Sequence, residues 1–404
     1  MTLEYFTFHL ECVPLQKNYI IMQESIIIRN FGPVKDMEIK DIRPFTVFIG
    51  ESGSGKSTIM KIIVLFRWIY KMLNIRSYLK HSNITESPFK FDFKEYLKNG
   101  GFEEGAYLHT DTEIIYKRGN NEISYRGSLN TAIIVPENEL SLEKMSFIAD
   151  KRNIVPDILA NNAKVNSFFI NETYEDFRIA YPFVKELPME YLGVKYSRKK
   201  VGTATKHYIE SIDENKKYPP IKLENASSGM QTATPLSVII EYFAKHYSFS
   251  KFGDKFIFKY LYESDDLKKF NTGLNIGEIK YKNIHIHIEE PELSLYPESQ
   301  RSLINFIVNR CFMEKHKDYN MTVMLATHSP YIINHLNLLI KAYDKQKLIE
   351  GSKLSYEDLS VYQVEGGKIN DLKIQNERLI NTNPLSDTIN DIYDTNSFIK
   401  HTHN

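Results

Sequence analysis

Nine consecutive residues restrict the possible folds of this chain more than any others. Gly50-Glu51-Ser52-Gly53-Ser54-Gly55-Lys56-Ser57-Thr58 fits the spacing G-x-x-x-x-G-K-[S/T]. It follows a short apolar run, Phe45 to Ile49. It precedes a stretch in which Ile59, Ile62, Ile63, Phe66, Ile69, Tyr70 and Leu73 recur at helical spacing. The segment therefore reads as buried strand, glycine loop, helix. Such a loop can turn its backbone N–H groups onto phosphate oxygens while the following helix aims its positive end at them. Lys56 is expected to reach the β- and γ-phosphates of a nucleotide, and Ser57 to place its hydroxyl on Mg²⁺. The expected ligand is Mg·ATP.

The rest of the chain has to be compatible with that loop. With 404 residues it can form one large domain with insertions, or two domains. An aromatic content of 13% provides for a core, and the formal net charge of +0 gives no global signal for a nucleic-acid coat or a membrane surface. Two cysteines, Cys12 and Cys311, make no disulfide framework and fit a reducing compartment. The start of the chain lacks the basic and apolar regions of a secretory signal. The longest apolar candidate, Ile62 to Tyr70, is broken by Arg67 and is too short to span a bilayer. A cytoplasmic protein with no membrane contact is expected.

No internal repeat or low-complexity tract is found. Residues 1–22 read as an extension. Ser25 to Arg29 and Val34 to Ile39 read as strands around a turn at Phe31-Gly32-Pro33. Residues 75–220 read as a compact α/β insert lobe without heptads. Within it lies a basic patch, Lys195, Arg198, Lys199 and Lys200, which is either a solvated loop or a contact for DNA or an acidic partner. Leu236 to Tyr247 reads as a helix, and 248–282 as a second insertion. Strands are expected at Ile284 to Ile288 and Thr322 to Ala326, and helices at Glu298 to Phe312 and Tyr331 to Ala342. A hairpin over Leu359 to Lys373 and a short helix near Leu385 to Tyr393 complete the tail. The expected domains are thus a head (23–74 and 221–345), the insert (75–220) and the C-terminal hairpin and helix (346–404).

Three further motifs can carry chemistry. In Ile284-His285-Ile286-His287-Ile288-Glu289-Glu290-Pro291-Glu292, alternating isoleucines form one strand face, and the strand delivers two carboxylates at its end. Glu289 is expected on the metal side and Glu290 as the base that activates water. His285 and His287, on the other face, read as packed strand residues. Asn225-Ala226-Ser227-Ser228-Gly229-Met230-Gln231 precedes a helix and, alone, reads as a turn. Ala326-Thr327-His328-Ser329-Pro330 ends a strand, and a lone histidine there is usually structural.

The order of the four motifs changes that reading. Glycine loop, Ser-Ser-Gly-x-Gln, acidic strand end and strand-end histidine follow the order of an ABC-type ATPase. The chain resembles the soluble SMC-like and OLD-like branch of that superfamily through IRNFGPVKD with the P-loop, NASSGMQTATPL, IEEPELSLYP and ATHSPYII. The resemblance implies an α/β fold, an ABC-type P-loop NTPase head with a mixed β-sheet flanked by helices. It implies that Ser227, Ser228 and Gly229 cap the γ-phosphate of ATP held by a second subunit, so that a homodimer or higher homo-oligomer is needed. It implies that His328 contacts the γ-phosphate in its own subunit, with Glu290 and Lys56 completing the catalytic set.

This sequence departs from the family pattern in three places. The metal-side acid is Glu289 where Asp is usual, and the signature has two serines. No glutamine loop is recognised. Ile133 to Asn138 reads Ile-Ile-Val-Pro-Glu-Asn, like the Pro-Glu variant of OLD-like ATPases, with Glu137 or Asn138 as the substitute. Val364-Glu365-Gly366 resembles the opening of a Toprim nuclease, but no Asp-x-Asp pair follows, and a hairpin turn is the better reading. Compact OLD-like ATPases without a nuclease resemble the ATPase subunits of the Septu, PARIS and retron-linked anti-phage systems, which implies a separate effector nuclease as partner. The alternative is an SMC-like DNA-repair or chromosome-handling ATPase, whose mark would be long coiled-coil arms or a basic groove. A transporter subunit is disfavoured, since no glutamine loop is recognised.

Overall fold

The computed structural model describes residues 22–84, 91–161, 163–165, 167–213, 218–249, 279–314, 318–385, 393 and 395. Most of the expected N-terminal extension, second insertion and terminal helix lies outside them, as does Cys12. Cys311 is buried and forms no disulfide among the described residues.

The core is a six-stranded sheet. Its strands are β3 (Phe45–Ile49), β7 (Ser141–Ile148), β12 (Tyr281–Glu289), β13 (Asn320–Thr327), β14 (Leu359–Glu365) and β15 (Lys368–Asp371), in the spatial order β15-β14-β3-β13-β12-β7. All pairs are parallel except the β14–β15 hairpin at one edge. Parallel strands covered on both faces read as unbroken apolar runs, and every residue of β3 is buried. A second, antiparallel sheet runs β2-β1-β4-β5-β6, from β1 (Glu24–Phe31), β2 (Val34–Ile39), β4 (Leu108–Arg118), β5 (Asn121–Arg126) and β6 (Leu129–Asn130). Between the two sheets runs the helix α1 (Lys56–His81), whose apolar residues are buried around its circumference, as a helix between two layers requires.

The helix α2 (Phe168–Ala180) contributes to the core on both faces of the main sheet, and α3 (Ser228–Lys245), α4 (Pro297–Val308) and α5 (Pro330–Asp344) to the face opposite α1. A small antiparallel sheet adjoins it, ordered β11-β10-β9-β8, from β8 (Glu186–Met189), β9 (Val194–Val201), β10 (Ala204–Ser211) and β11 (Ile221–Lys222). The mixed α/β architecture expected from the sequence is observed.

Two boundaries differ from expectation. Residues 75–220 are not one insert, because β4 and β5 complete the antiparallel sheet and β7 is an edge strand of the main sheet. The tail is not an appendage either. β14 pairs in parallel with β3, directly beside the glycine loop, and its hydrogen bonds bind it into the core. In both cases strands distant in sequence pair, which a local pattern does not show.

The two faces of β12 are as the alternation predicts. Ile284, Ile286 and Ile288 pack in one core cluster, while His285 and His287 point the other way. There they join a buried polar network. His285 Nε2 lies 2.7 Å from Glu143 and its Nδ1 2.7 Å from the Thr322 hydroxyl. His287 lies 2.8 Å from the Arg67 guanidinium, which donates twice to Glu24 at 2.7 and 2.8 Å. Burial and the nearby arginines keep both imidazoles far below their ordinary pKa, hence neutral.

Candidate functional site

The glycine loop leaves β3 and closes onto α1 through Gly55, which adopts φ 108° as the residue before the helix. Only glycine takes that conformation without strain. A β-carbon at Gly50 would sit 2.3 Å from the Val364 carbonyl oxygen, so the loop lies hard against β14. Lys56 Nζ donates to the carbonyls of Gly50 at 2.9 Å and Glu51 at 2.7 Å, which holds the ammonium inside the loop. Burial lowers its pKa, against the opposing charges of Glu290 and Glu292. Those carboxylates are therefore close enough to act on it.

A cavity of 870 Å³ opens over the loop. Gly50, Glu51, Ser52, Gly53 and Ser54 form its floor, His328 and Pro330 one wall, and Gln363 to Gly367 of the β14–β15 hairpin another. The Glu365-Gly366 pair is thus a hairpin turn at the edge of this cavity, with Glu365 paired to Lys368 across the ladder. The hairpin is in turn tied to β2 by the Lys35 N–H, which donates to the Gly367 carbonyl at 2.8 Å.

Parallel pairing of β3, β13 and β12 brings their C-terminal ends together. Thr327 pairs with Ile49, and Glu289 with Ala326. Ligands of open α/β sheets bind at this end. Glu290 and His328 emerge there side by side, with Glu290 Oε1 3.5 Å from His328 Nε2. Ser57 and Lys61 stand one turn apart on α1, on the same face. Lys61 Nζ reaches Glu289 Oε1 at 3.2 Å, so the buried Glu289 side chain lies beside the start of α1. Lys56, Ser57, Glu289, Glu290 and His328 therefore gather at one sheet end.

Ser227 and Ser228 do not join them. Ser227 precedes α3 and Ser228 opens it; both are exposed, and the Ser227 side chain makes no capping hydrogen bond. The signature glycine is committed by packing, since a β-carbon at Gly229 would lie 2.8 Å from the Ser294 carbonyl oxygen. The helix N-terminus and both hydroxyls thus face outward, on a loop fixed against the turn that follows Glu290.

Glu137 and Asn138 do not substitute for the missing glutamine. They precede β7 at its N-terminal end, and β7 runs parallel to β12 with Ser141 opposite Tyr281 and Ile148 opposite Ile288. Eight residues of strand place them roughly 25 Å from the carboxylates. The residues at the correct end are Ala149 and Asp150. Pro-Glu is a local motif, whereas this position is defined by strand direction.

Two residues that sequence reasoning missed shape the site. Glu292 accepts from the Thr327 hydroxyl at 2.8 Å and from the His328 N–H at 2.6 Å, fixing the turn that presents the imidazole. Arg152, fully buried, donates to the carbonyls of Ala149 at 3.1 Å, Thr232 at 3.1 Å, Glu289 at 2.7 Å and Glu290 at 2.7 Å. Burial pulls its guanidinium down to about 10. Glu290 itself adopts φ 43°, an uncommon conformation for a non-glycine residue. Arg152 spans this turn and the signature helix α3. No sequence signal marks Arg152 as the anchor of this turn.

The basic patch is a strand rather than a loop. Lys195 and Lys199 lie on β9, where Lys199 pairs with Glu210 at 2.8 Å and Lys195 with Glu186 at 3.3 Å. These carboxylates neutralise much of its charge. Among the described residues, no helix is long and apolar enough to cross a membrane.

No curated protein matches the chain. Among solved structures, the chain is similar to an SMC head bound to the C-terminal winged-helix domain of ScpA (12% identity, 88% of this chain and 99% of the other, TM-score 0.34). It is also similar to the SMC head domain from Thermotoga maritima (12%, 88% and 100%, TM-score 0.33) and to cbiO1 of Clostridium perfringens, part of the cbiONQ ABC transporter complex (10%, 87% and 87%, TM-score 0.30). Residues 22–181 and 194–333, most of the chain, match the AAA_15 model, an AAA ATPase domain. The chain belongs to this family, and it is an ATPase with a P-loop NTPase fold.

Proposed function

We propose that the chain binds Mg·ATP in the 870 Å³ cavity and hydrolyses it at an ABC-type interface between two copies of itself. The observation that carries this reading is the meeting of Lys56, Glu290 and His328 at one sheet end, with Glu290 and His328 3.5 Å apart. Ser57 and Glu289 supply the hydroxyl and carboxylate that would hold the metal, supported by Glu289 lying 3.2 Å from Lys61, one turn from Ser57 on α1. Mg²⁺, when bound, would neutralise charge on the phosphates. The residues of the chain account for the remaining work. Gly50 to Thr58 bind the phosphates through N–H groups and the α1 N-terminus. Lys56 exchanges the Gly50 and Glu51 carbonyls for phosphate oxygens. Glu290 orients water and accepts its proton late in the reaction, and His328 holds the other side of that position. Ser227 and Ser228, turned outward in their own chain, serve the second copy, with Gly229 packed behind them.

The biological reading is a regulatory ATPase of an anti-phage defence system with a separate effector nuclease. Its support is the resemblance to compact OLD-like ATPases. The chromosome-handling alternative gains nothing from the observed elements, because the longest described helix, α1, is buried within the head rather than projecting as an arm. A mixing experiment tests the composite site. Lys56→Ala and Ser227→Arg/Ser228→Arg chains are each inactive alone, and together should regain hydrolysis through one intact interface site. Absence of recovery in confirmed mixed dimers, or full activity of a strict monomer, overturns the shared site. For the biological role, cells carrying the chain with its neighbouring genes should resist phage, and Lys56→Ala should abolish resistance.

A further inference from the structure

A second cavity, of 350 Å³, lies beside α1 and shares no lining residue with the cavity over the P-loop. Its size is within the roughly 300–1,000 Å³ usual for small-molecule sites. Its apolar wall is aromatic, with Trp68, Phe147 and Phe169 among its lining residues. Its polar groups are mainly cationic, with Lys61, Lys71 and Lys144 against a single lining carboxylate, Glu172.

The three lysines are not equivalent. Lys144 pairs with Asp176 at 2.7 Å, and Lys61 with Glu289 at 3.2 Å. Lys71 has no ion-pair or hydrogen-bond partner among the described residues. Burial, and then Lys144, lower its pKa to about 8, against the opposing charges of Glu172, Glu143 and Asp176. The Lys61 ammonium also sits 5.0 Å from the Phe169 ring centre and 5.9 Å from that of Phe147. One ammonium therefore both borders this cavity and neutralises the metal-side carboxylate.

We propose that this cavity is a second ligand site, for a small aromatic phosphate of the nucleoside monophosphate class, and that its occupation draws Lys61 away from Glu289. Ring faces suit a base, and three ammonium groups around so small a space suit a dianion better than a single carboxylate. The size excludes a duplex or a folded protein. Releasing Lys61 exposes the full charge of Glu289, so the ligand strengthens metal binding at the catalytic site. This second step rests on the assignment of Glu289 under the proposed function; the binding itself does not.

Trp68 is the only tryptophan of the chain, so its emission reports on this cavity. Lys56→Ala protein, with its P-loop site disabled, is titrated with AMP. A saturable change in Trp68 emission below about 1 mM is expected. It should be lost in Lys71→Gln and kept in Lys71→Arg, with all three proteins showing the same cooperative unfolding. No saturable change, an equal change with inorganic phosphate alone, or full binding by Lys71→Gln overturns the site. In the wild-type protein, AMP should lower the Mg²⁺ concentration for half-maximal ATP hydrolysis about fivefold, and Lys61→Gln should abolish that shift. AMP binding with an unchanged Mg²⁺ requirement overturns the coupling. If Glu289→Gln leaves the Mg²⁺ requirement unchanged while Trp68 still reports binding, the Glu289 assignment has failed and the site stands.

Discussion

Arg152→Lys separates positioning of Glu290 from general stability. The guanidinium donates to four carbonyls, two of them on Glu289 and Glu290. A hydrogen bond from a charged donor contributes about 1.5–3 kcal/mol net. Holding a non-glycine residue at an unfavourable φ costs about 1–3 kcal/mol, and Glu290 stands at φ 43°. The two effects are of the same size, so the strained turn survives because Arg152 holds it. A lysine has one nitrogen where Arg152 has three, and it cannot span carbonyls on α3 and on the Glu289–Glu290 turn together. Relaxation of the turn by about 1 Å is enough to lower kcat by about 10- to 100-fold. KM for ATP should change less than about threefold, since the P-loop and Lys56 bonds are untouched. Steady-state kinetics with a thermal melt of the same protein give the result. A variant that folds and retains wild-type kcat refutes positioning by Arg152. An equal loss in affinity and rate would point to general damage instead.

Two more outcomes follow from the contacts. Lys56→Ala removes the cation that faces the phosphates, so calorimetric titration should show severely weakened ATP binding; unchanged affinity refutes the P-loop assignment. The Glu24 carboxyl is pushed up by burial, but the ion pair with Arg67 outweighs this and holds it at about 2, against an ordinary 4.5. Its contribution is therefore complete above about pH 4.5 and lost as pH falls toward 2, on the order of 3 kcal/mol. Urea unfolding across that range should show the stability gap between wild type and Glu24→Gln narrowing as the pH drops; a constant gap contradicts the linkage.

The parts of the site legible in sequence are those fixed by short-range chemistry. The P-loop is nine adjacent residues whose glycines, lysine and hydroxyl are dictated by backbone approach and charge. The alternation of β12 correctly placed Ile284, Ile286 and Ile288 on one face, His285 and His287 on the other, and two carboxylates at the end. What could not be read depends on which strands pair. Asp150 stands at the position sought at Glu137 because β7 runs parallel to β12, a fact of the sheet and not of the segment. β14 lines the cavity over the glycine loop because it pairs with β3 across some three hundred residues of chain. Arg152 and Lys61 stand in no motif, and Glu292, though inside the acidic motif, shows its role only once it meets Thr327 and His328.

Glu290→Gln tests the central claim most directly, because it retains the size of the side chain and removes the base. Purified in ATP, this variant should hold ATP at stoichiometric occupancy, run as a dimer, and show no single-turnover hydrolysis. Glu289→Gln should instead load poorly and depend steeply on Mg²⁺. Hydrolysis at the wild-type rate by Glu290→Gln, with Glu289→Gln loaded but inactive, would show that the two carboxylates have the opposite roles.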